Sequence, residues 1–146
     1  MHHRIHHRAI LPAALLGMMA TAAAAAPLPN CPVPQGAAPM TLDGTAPAAL
    51  REALHNRFGK FAGPLEAFNP TDVVQPGVEN RRLAFLWQNG PRWVAAMEVG
   101  GRGYSIAVTV FELDAVGRAA LFVATATATP NTLCRTATRL IRHVPQ

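Results

Sequence analysis

From position 81 onward short apolar runs alternate with turn residues, and four segments read as strands: RRLAFLWQ (81–88), RWVAAMEV (92–99), YSIAVTVFEL (104–113) and RAALFVATATAT (118–129). Asn89-Gly90, Gly100-Gly101-Arg102-Gly103 and Asp114-Ala115-Val116-Gly117 separate them. Asn-Gly is the strongest short hairpin signal, because both central positions of its turn take positive φ. An antiparallel meander follows. With Asn89-Gly90 as a two-residue turn, Leu86 faces Trp93, Phe85 faces Val94, Trp87 faces Arg92 and Arg81 faces Glu98. This register joins opposite charges at one end of the pair and sets an arginine beside an indole at the other.

With an even number of residues in the next two loops, one sheet face collects Leu86, Trp93, Ala95, Met97, Tyr104, Ile106, Val108, Val110, Leu121 and Val123. The other collects Leu83, Phe85, Trp87, Val94, Ala96, Ala107, Phe111 and Phe122. Both are apolar, whereas a sheet with one wet face alternates apolar and polar side chains more cleanly. The sheet therefore needs cover on two sides.

Two segments offer it. Ala46, Ala49, Leu50, Ala53, Leu54, Phe58 and Phe61 recur at helical spacing, with Arg51, Glu52, His55 and Asn56 opposite. Thr45 is the expected cap, Pro47 lies in the first turn, and Gly59 and Gly63-Pro64 end the helix. In the tail, Thr129-Pro130 resembles a cap followed by a proline at the first helical position, and Leu133, Ala137, Leu140, Ile141 and Val144 share one face. Arg139, Arg142 and His143 suit a helix C-terminus, while the threonines favour a fifth strand, so residues 130–143 read as a helix with a strand as the alternative. Residues 61–80, broken by Asn69-Pro70 and Pro76-Gly77, read as loop and turns around a short strand at 72–75. The predicted class is α+β: an N-terminal amphipathic helix, a four-stranded antiparallel meander and a C-terminal helix, in a single domain over 46–146.

Before that domain, the prolines at 27, 29, 32, 34, 39 and 47 forbid regular helix or central strand, so residues 26–45 form an extended arm. Residues 1–25 have the layout of a secretory signal peptide: a basic start (MHHRIHHR), an apolar run (AILPAALLGMMA) and small-x-small cleavage sites. Pro12 and the alanine-rich end argue against an uncleaved anchor, so no stable membrane span is expected after cleavage. Pro29-Asn30 before Cys31 does not suit lipid attachment. His2, His3, His6 and His7 fall in the discarded part and leave no metal site. The protein is thus expected to be periplasmic or secreted.

That address changes how composition is read. The 146 residues are 50% hydrophobic and 14% charged, which suits one globular domain and excludes a wholly disordered chain. Two of the 13 basic residues leave with the signal peptide, while all 8 acids stay. With no basic run longer than Arg81-Arg82, nucleic-acid binding is not expected. Cys31 and Cys134, 103 positions apart, most simply pair in an oxidising compartment. Closing a loop of that length is worth up to about 4.7 kcal/mol.

The candidate site is an aromatic platform. Phe85, Trp87, Phe111 and Phe122, with Arg92 beside them, form an apolar sheet face suited to a partner protein, a peptide or a glycan; the competing reading buries them as a second core layer. Gly100-Gly101-Arg102-Gly103 precedes a strand and reads as a hairpin turn, without the spacing of a phosphate-binding loop. Ser105, His55, Asp72 and Asp114 are present without a Gly-x-Ser-x-Gly elbow or any other catalytic pattern. No catalytic residue, metal ligand or cofactor is assigned. The expected function is that of a small exported, non-enzymatic protein of the cell envelope that binds a partner through this face. Two alternatives stand beside it: a small hydrolase, with His55 or His143 near Ser105, Cys134 or a carboxylate, and a structural homodimer through the same face.

Overall fold

The computed structural model describes residues 28–143, so the expected signal peptide over 1–25 and its histidines lie outside the described residues. The elements are β1 (Ala38–Met40), α1 (Ala48–Phe58), β2 (Arg81–Asn89), β3 (Arg92–Val99), β4 (Ser105–Leu113), β5 (Ala120–Ala128) and α2 (Leu133–His143). The strands form one antiparallel sheet in chain order.

The predicted α+β class holds, with two helices and the Cys31–Cys134 disulfide. The sheet has five strands, and the fifth comes from the proline-rich arm, not from the tail. Ala38–Met40 pairs with Gln88–Leu86. Pro39 is tolerated because β1 is an edge, where a missing N–H need not break a ladder. The tail is helical because Leu133, Ala137 and Ile141, all buried, form a single stripe at four-residue spacing. No strand forms at 72–75. Instead, Asn69 Oδ1 accepts from the Thr71 backbone N–H (3.0 Å) and hydroxyl (2.8 Å) and holds the chain in a turn. At α1 the cap position is Pro47, not Thr45. Thr45 is engaged in its own turn, where its hydroxyl bonds both the N–H and the carbonyl of Thr41.

The hairpin register differs from expectation by two in the sum of paired positions. Asn89 pairs with Arg92, so the turn residues are Gly90 and Pro91. Gly90 alone has positive φ (58°), while proline's φ is locked negative. That combination suits a type II′ turn, with glycine at the first central position. Trp87 consequently faces Val94, Leu86 faces Ala95 and Phe85 faces Ala96. The ladder then shifts by one between Leu83 and Phe85, so Arg82, not Arg81, stands opposite Glu98.

A second correction concerns β4. Val99 pairs with Ser105, which leaves five residues, Gly100 to Tyr104, in the loop. The odd count turns β4 over relative to expectation. Gly100 explains part of the longer loop, because an added Cβ would lie 2.2 Å from the Asn69 carbonyl oxygen. The chain crosses the 61–80 segment there at a distance that only glycine allows.

Two cores result. On one face Leu50, Leu54 and Phe58 of α1 pack on Leu83, Leu86, Trp93, Met97 and Phe111. On the other, Leu133, Ala137 and Ile141 of α2 pack with Trp87, Val94, Ile106, Val108 and Val110, and Cys31 joins them. The molecule is therefore a helix–sheet–helix sandwich, the arrangement that two apolar sheet faces require.

Candidate functional site

The placement of α2 creates a cleft. It packs on β3, β4 and β5, so β2 is left to the arm on that face. Cys31, bonded to Cys134 in the first turn of α2, fixes the arm there. Between the arm (Leu28–Val33), Pro39 of β1, Leu65 and the face of β2 lies a cleft of about 560 Å³. Its floor holds Phe85 and Trp87, which stack with centroids 4.3 Å apart.

The cleft has one polar end. Glu98 is fully buried, and its Oε2 accepts from Arg82 Nε at 2.6 Å. The Tyr104 hydroxyl donates to Glu98 Oε1 at 2.7 Å. Arg82 also donates through Nη1 to the Glu66 carbonyl (3.2 Å), and its guanidinium carbon sits 4.3 Å from the Phe68 ring centroid. One arginine thus ties the 61–80 segment to β2 and neutralises a carboxylate that burial would otherwise penalise.

Burial raises the Tyr104 phenol pKa above its ordinary value, the hydrogen bond to the Glu98 carboxylate and its charge raise it further, and Arg82 partly opposes them. The folded state therefore holds the phenol proton more tightly than the unfolded chain does. This stabilisation is complete below the unfolded pKa of about 10 and is lost as pH rises from there toward the folded value. Tyr104 is the only tyrosine, so its contribution is separable. In denaturant melts from pH 8 to 12, Tyr104→Phe is expected to flatten the alkaline fall in stability. An unchanged alkaline slope would mean that the phenol ionises alike in both states.

The five residues predicted for the platform divide between the two faces. Phe85 and Trp87 come together in the cleft floor, where Trp87 is 3% exposed and Phe85 is partly exposed. Phe111 lies on the α1 face, buried, in an edge-to-face pair with Phe122 at 6.4 Å. Phe122 is half-exposed and carries the Arg57 guanidinium 4.1 Å from its centroid. Arg92 sits at the hairpin end, paired with Glu112 at 3.3 Å. The odd loop accounts for the division, since it makes β4 present Phe111 to the side opposite Trp87, whereas the two-position change in the hairpin register leaves Trp87 on its expected face.

The alternative catalytic groups are dispersed. Cys134 is in the disulfide, His55 Nδ1 lies 3.2 Å from the Gly59 carbonyl, and the His55 ring stacks on Phe61. Ser105 opens β4 opposite Val99. The side chain of His143 lies outside the described residues. Among the described residues no group of three His, Cys, Asp or Glu side chains could hold a metal, and no helix is long and apolar enough to cross a membrane.

Sequence reasoning missed Arg82, Tyr104 and Leu65. Glu98 was expected opposite Arg81, and its actual partner, Arg82, depends on a one-residue ladder shift that leaves no mark in the sequence. No protein-family model, no curated protein and no solved structure matches this chain, so the cleft itself carries the functional reading.

Proposed function

We propose that the chain is a small exported protein of the cell envelope that binds a peptide segment of a partner protein in the cleft between the disulfide-pinned arm and β2. Export rests on the three-part layout of residues 1–25, and the disulfide suits an oxidising compartment.

The observation that carries the binding reading is Leu65. It is 99% exposed, stands on the lip of the cleft and has φ of 69°. A leucine held in the left-handed region costs on the order of 1–2 kcal/mol, and such strain gathers at ligand clamps. Val33, 38% exposed, lies on the arm side of the same cleft. A volume of about 560 Å³ falls within the range of about 300–1,000 Å³ usual for ligand sites. The lining favours a peptide over a glycan, because Trp87 is too deeply set to offer an open ring face to a sugar. An apolar side chain fits between the lips, and Arg82 retains N–H donors beyond its two recorded bonds for a peptide carbonyl or carboxylate.

The test is to pan a random peptide library on the oxidised protein and measure the affinities of the enriched peptides. Leu65→Asp is expected to weaken them about tenfold or more, and Phe122→Asp, on the other face, to leave them unchanged. Equal affinity in both variants would reject the cleft as the site.

One feature supports the homodimer reading instead. The outer edge of β5 runs nine residues without charge or proline, and Leu121 and Phe122 are exposed on it. Natural edges are usually blunted by such residues. Ala124-Thr125-Ala126-Thr127-Ala128 reads the same in both directions, so it can pair antiparallel with itself about Ala126. Under this reading, solution mass rises with concentration and Ala126→Lys abolishes the rise.

A further inference from the structure

We propose that Cys31–Cys134 is an exchangeable disulfide, opened by a dithiol, whose state decides whether the arm walls the cleft. The consequence for ligand binding rests on the reading above, whereas the exchange itself does not.

The two sulfurs belong to different surroundings. Cys31, 8% exposed, lines the cleft. Cys134, partly exposed, lines a separate surface cavity together with Arg135, Thr138, Arg139 and Arg142. Through Cys31 the bond borders the cleft, and Cys134 on its other side lies in a basic setting. Cys134 is the second residue of α2, an eleven-residue helix without an acidic side chain. None of the three arginines forms an ion pair among the described residues. A thiolate at Cys134 is favoured by these guanidinium groups and by the helix N-terminus, which makes it a good leaving group and stabilises the reduced form.

The fold can outlast the bond. Leu133, Ala137 and Ile141 anchor α2 on the sheet, and the helix entry is held by the Leu133 N–H to the Thr129 carbonyl at 2.9 Å. Before β1 the arm has little of this kind. Among its described residues the backbone bond is a local turn, from the Ala37 N–H to the Pro34 carbonyl. Leu28 and Pro34 pack, but the covalent link is what fixes the segment between them. Opening it frees a strip of chain at the cleft, and the freedom that strip regains offsets part of the stability lost with the crosslink.

In the exchange, a thiolate of the dithiol attacks Cys31 Sγ, the S–S bond breaks and the electron pair leaves on Cys134 Sγ. The second sulfur of the dithiol, its proton passing to Cys31 Sγ, then displaces Cys31 from the mixed disulfide. The dithiol is oxidised to a disulfide, and the protein gains two electrons. Phe85 and Trp87 lose one wall of their cleft. Because the coupling is reciprocal, a ligand seated against the arm also favours the oxidised protein.

The experiment equilibrates the mature chain with oxidised and reduced dithiothreitol and traps the thiols. Circular dichroism, thermal melts and hydrogen exchange follow the same samples. The reduced chain is expected to keep its sheet and α2, with protection lost only around residues 28–36 and the floor beneath them. The double variant Arg135→Gln/Arg139→Gln is expected to shift the equilibrium about tenfold toward the disulfide. Cooperative unfolding on reduction, or an equilibrium unmoved by the arginine variant, would overturn the proposal. A chain that exchanges in this way but enriches no peptide rejects the binding reading alone.

Discussion

Arg82→Met is expected to lower the free energy of unfolding by about 3–5 kcal/mol, the usual cost of removing one partner from a buried ion pair. Glu98 has no exposed surface and receives one bond from Arg82 and one from Tyr104. Without the guanidinium, Oε2 loses the bond from Arg82 and the buried carboxylate loses its opposite charge. The same change removes the bond to the Glu66 carbonyl and the contact with Phe68, so the 61–80 segment loosens at the cleft lip that bears Leu65. Arg82→Met/Glu98→Leu is expected to recover most of the loss, since replacing both charges by apolar groups of similar size is often neutral or stabilising. Urea melts of the two single variants and the double variant measure the coupling directly. A loss below about 1 kcal/mol for Arg82→Met would show Glu98 solvated in the folded state, because only a surface pair is that weak.

Much of this architecture is written in local chemistry, and the division of the aromatic platform has a single origin. The amphipathic stripe of α1, the Leu133-Ala137-Ile141 stripe of α2 and the apolar runs of β2 to β4 each report their own burial, while β5, equally apolar, leaves Leu121 and Phe122 exposed. The need for cover on both sheet faces follows from the lack of clean polar alternation, and the two helices supply it. What sequence does not carry is parity. The pairing of Asn89 slides the hairpin by two and keeps its faces, but one more residue in the Gly100–Tyr104 loop decides which face receives Phe111. The aromatic platform combined β2 and β4 on one face, so a parity error was enough to divide it. Phe85 and Trp87 remained together because residues two apart on one strand share a face whatever the register. Strand β1 escaped notice for another reason: Pro39 demotes any strand reading, and three residues are too few to show alternation.

The tryptophans of the two cores should respond very differently to substitution, and Trp93 is the one whose loss the fold will feel most. It is 1% exposed and packs with Leu50, Leu54, Phe58 and Phe111 on the α1 face. Trp93→Ala is expected to cost about 3–5 kcal/mol, because the cavity lies between a helix and a central strand that cannot close on it. Trp93→Phe is expected to stay within about 1.5 kcal/mol of the parent. The reason is Nε1, a buried donor without a hydrogen-bond partner among the described residues. A buried unmet donor costs about 1–3 kcal/mol, so phenylalanine loses ring volume but also removes that penalty. Chemical melts of the two variants distinguish the contributions. Equal losses would show that the indole N–H is satisfied in the folded chain and that the whole bicyclic ring is needed. Trp93→Phe also leaves Trp87 as the single tryptophan of the chain. Its emission then reports the cleft floor alone, so the spectrum of that variant before and after reduction reads the arm directly, without interference from the other core.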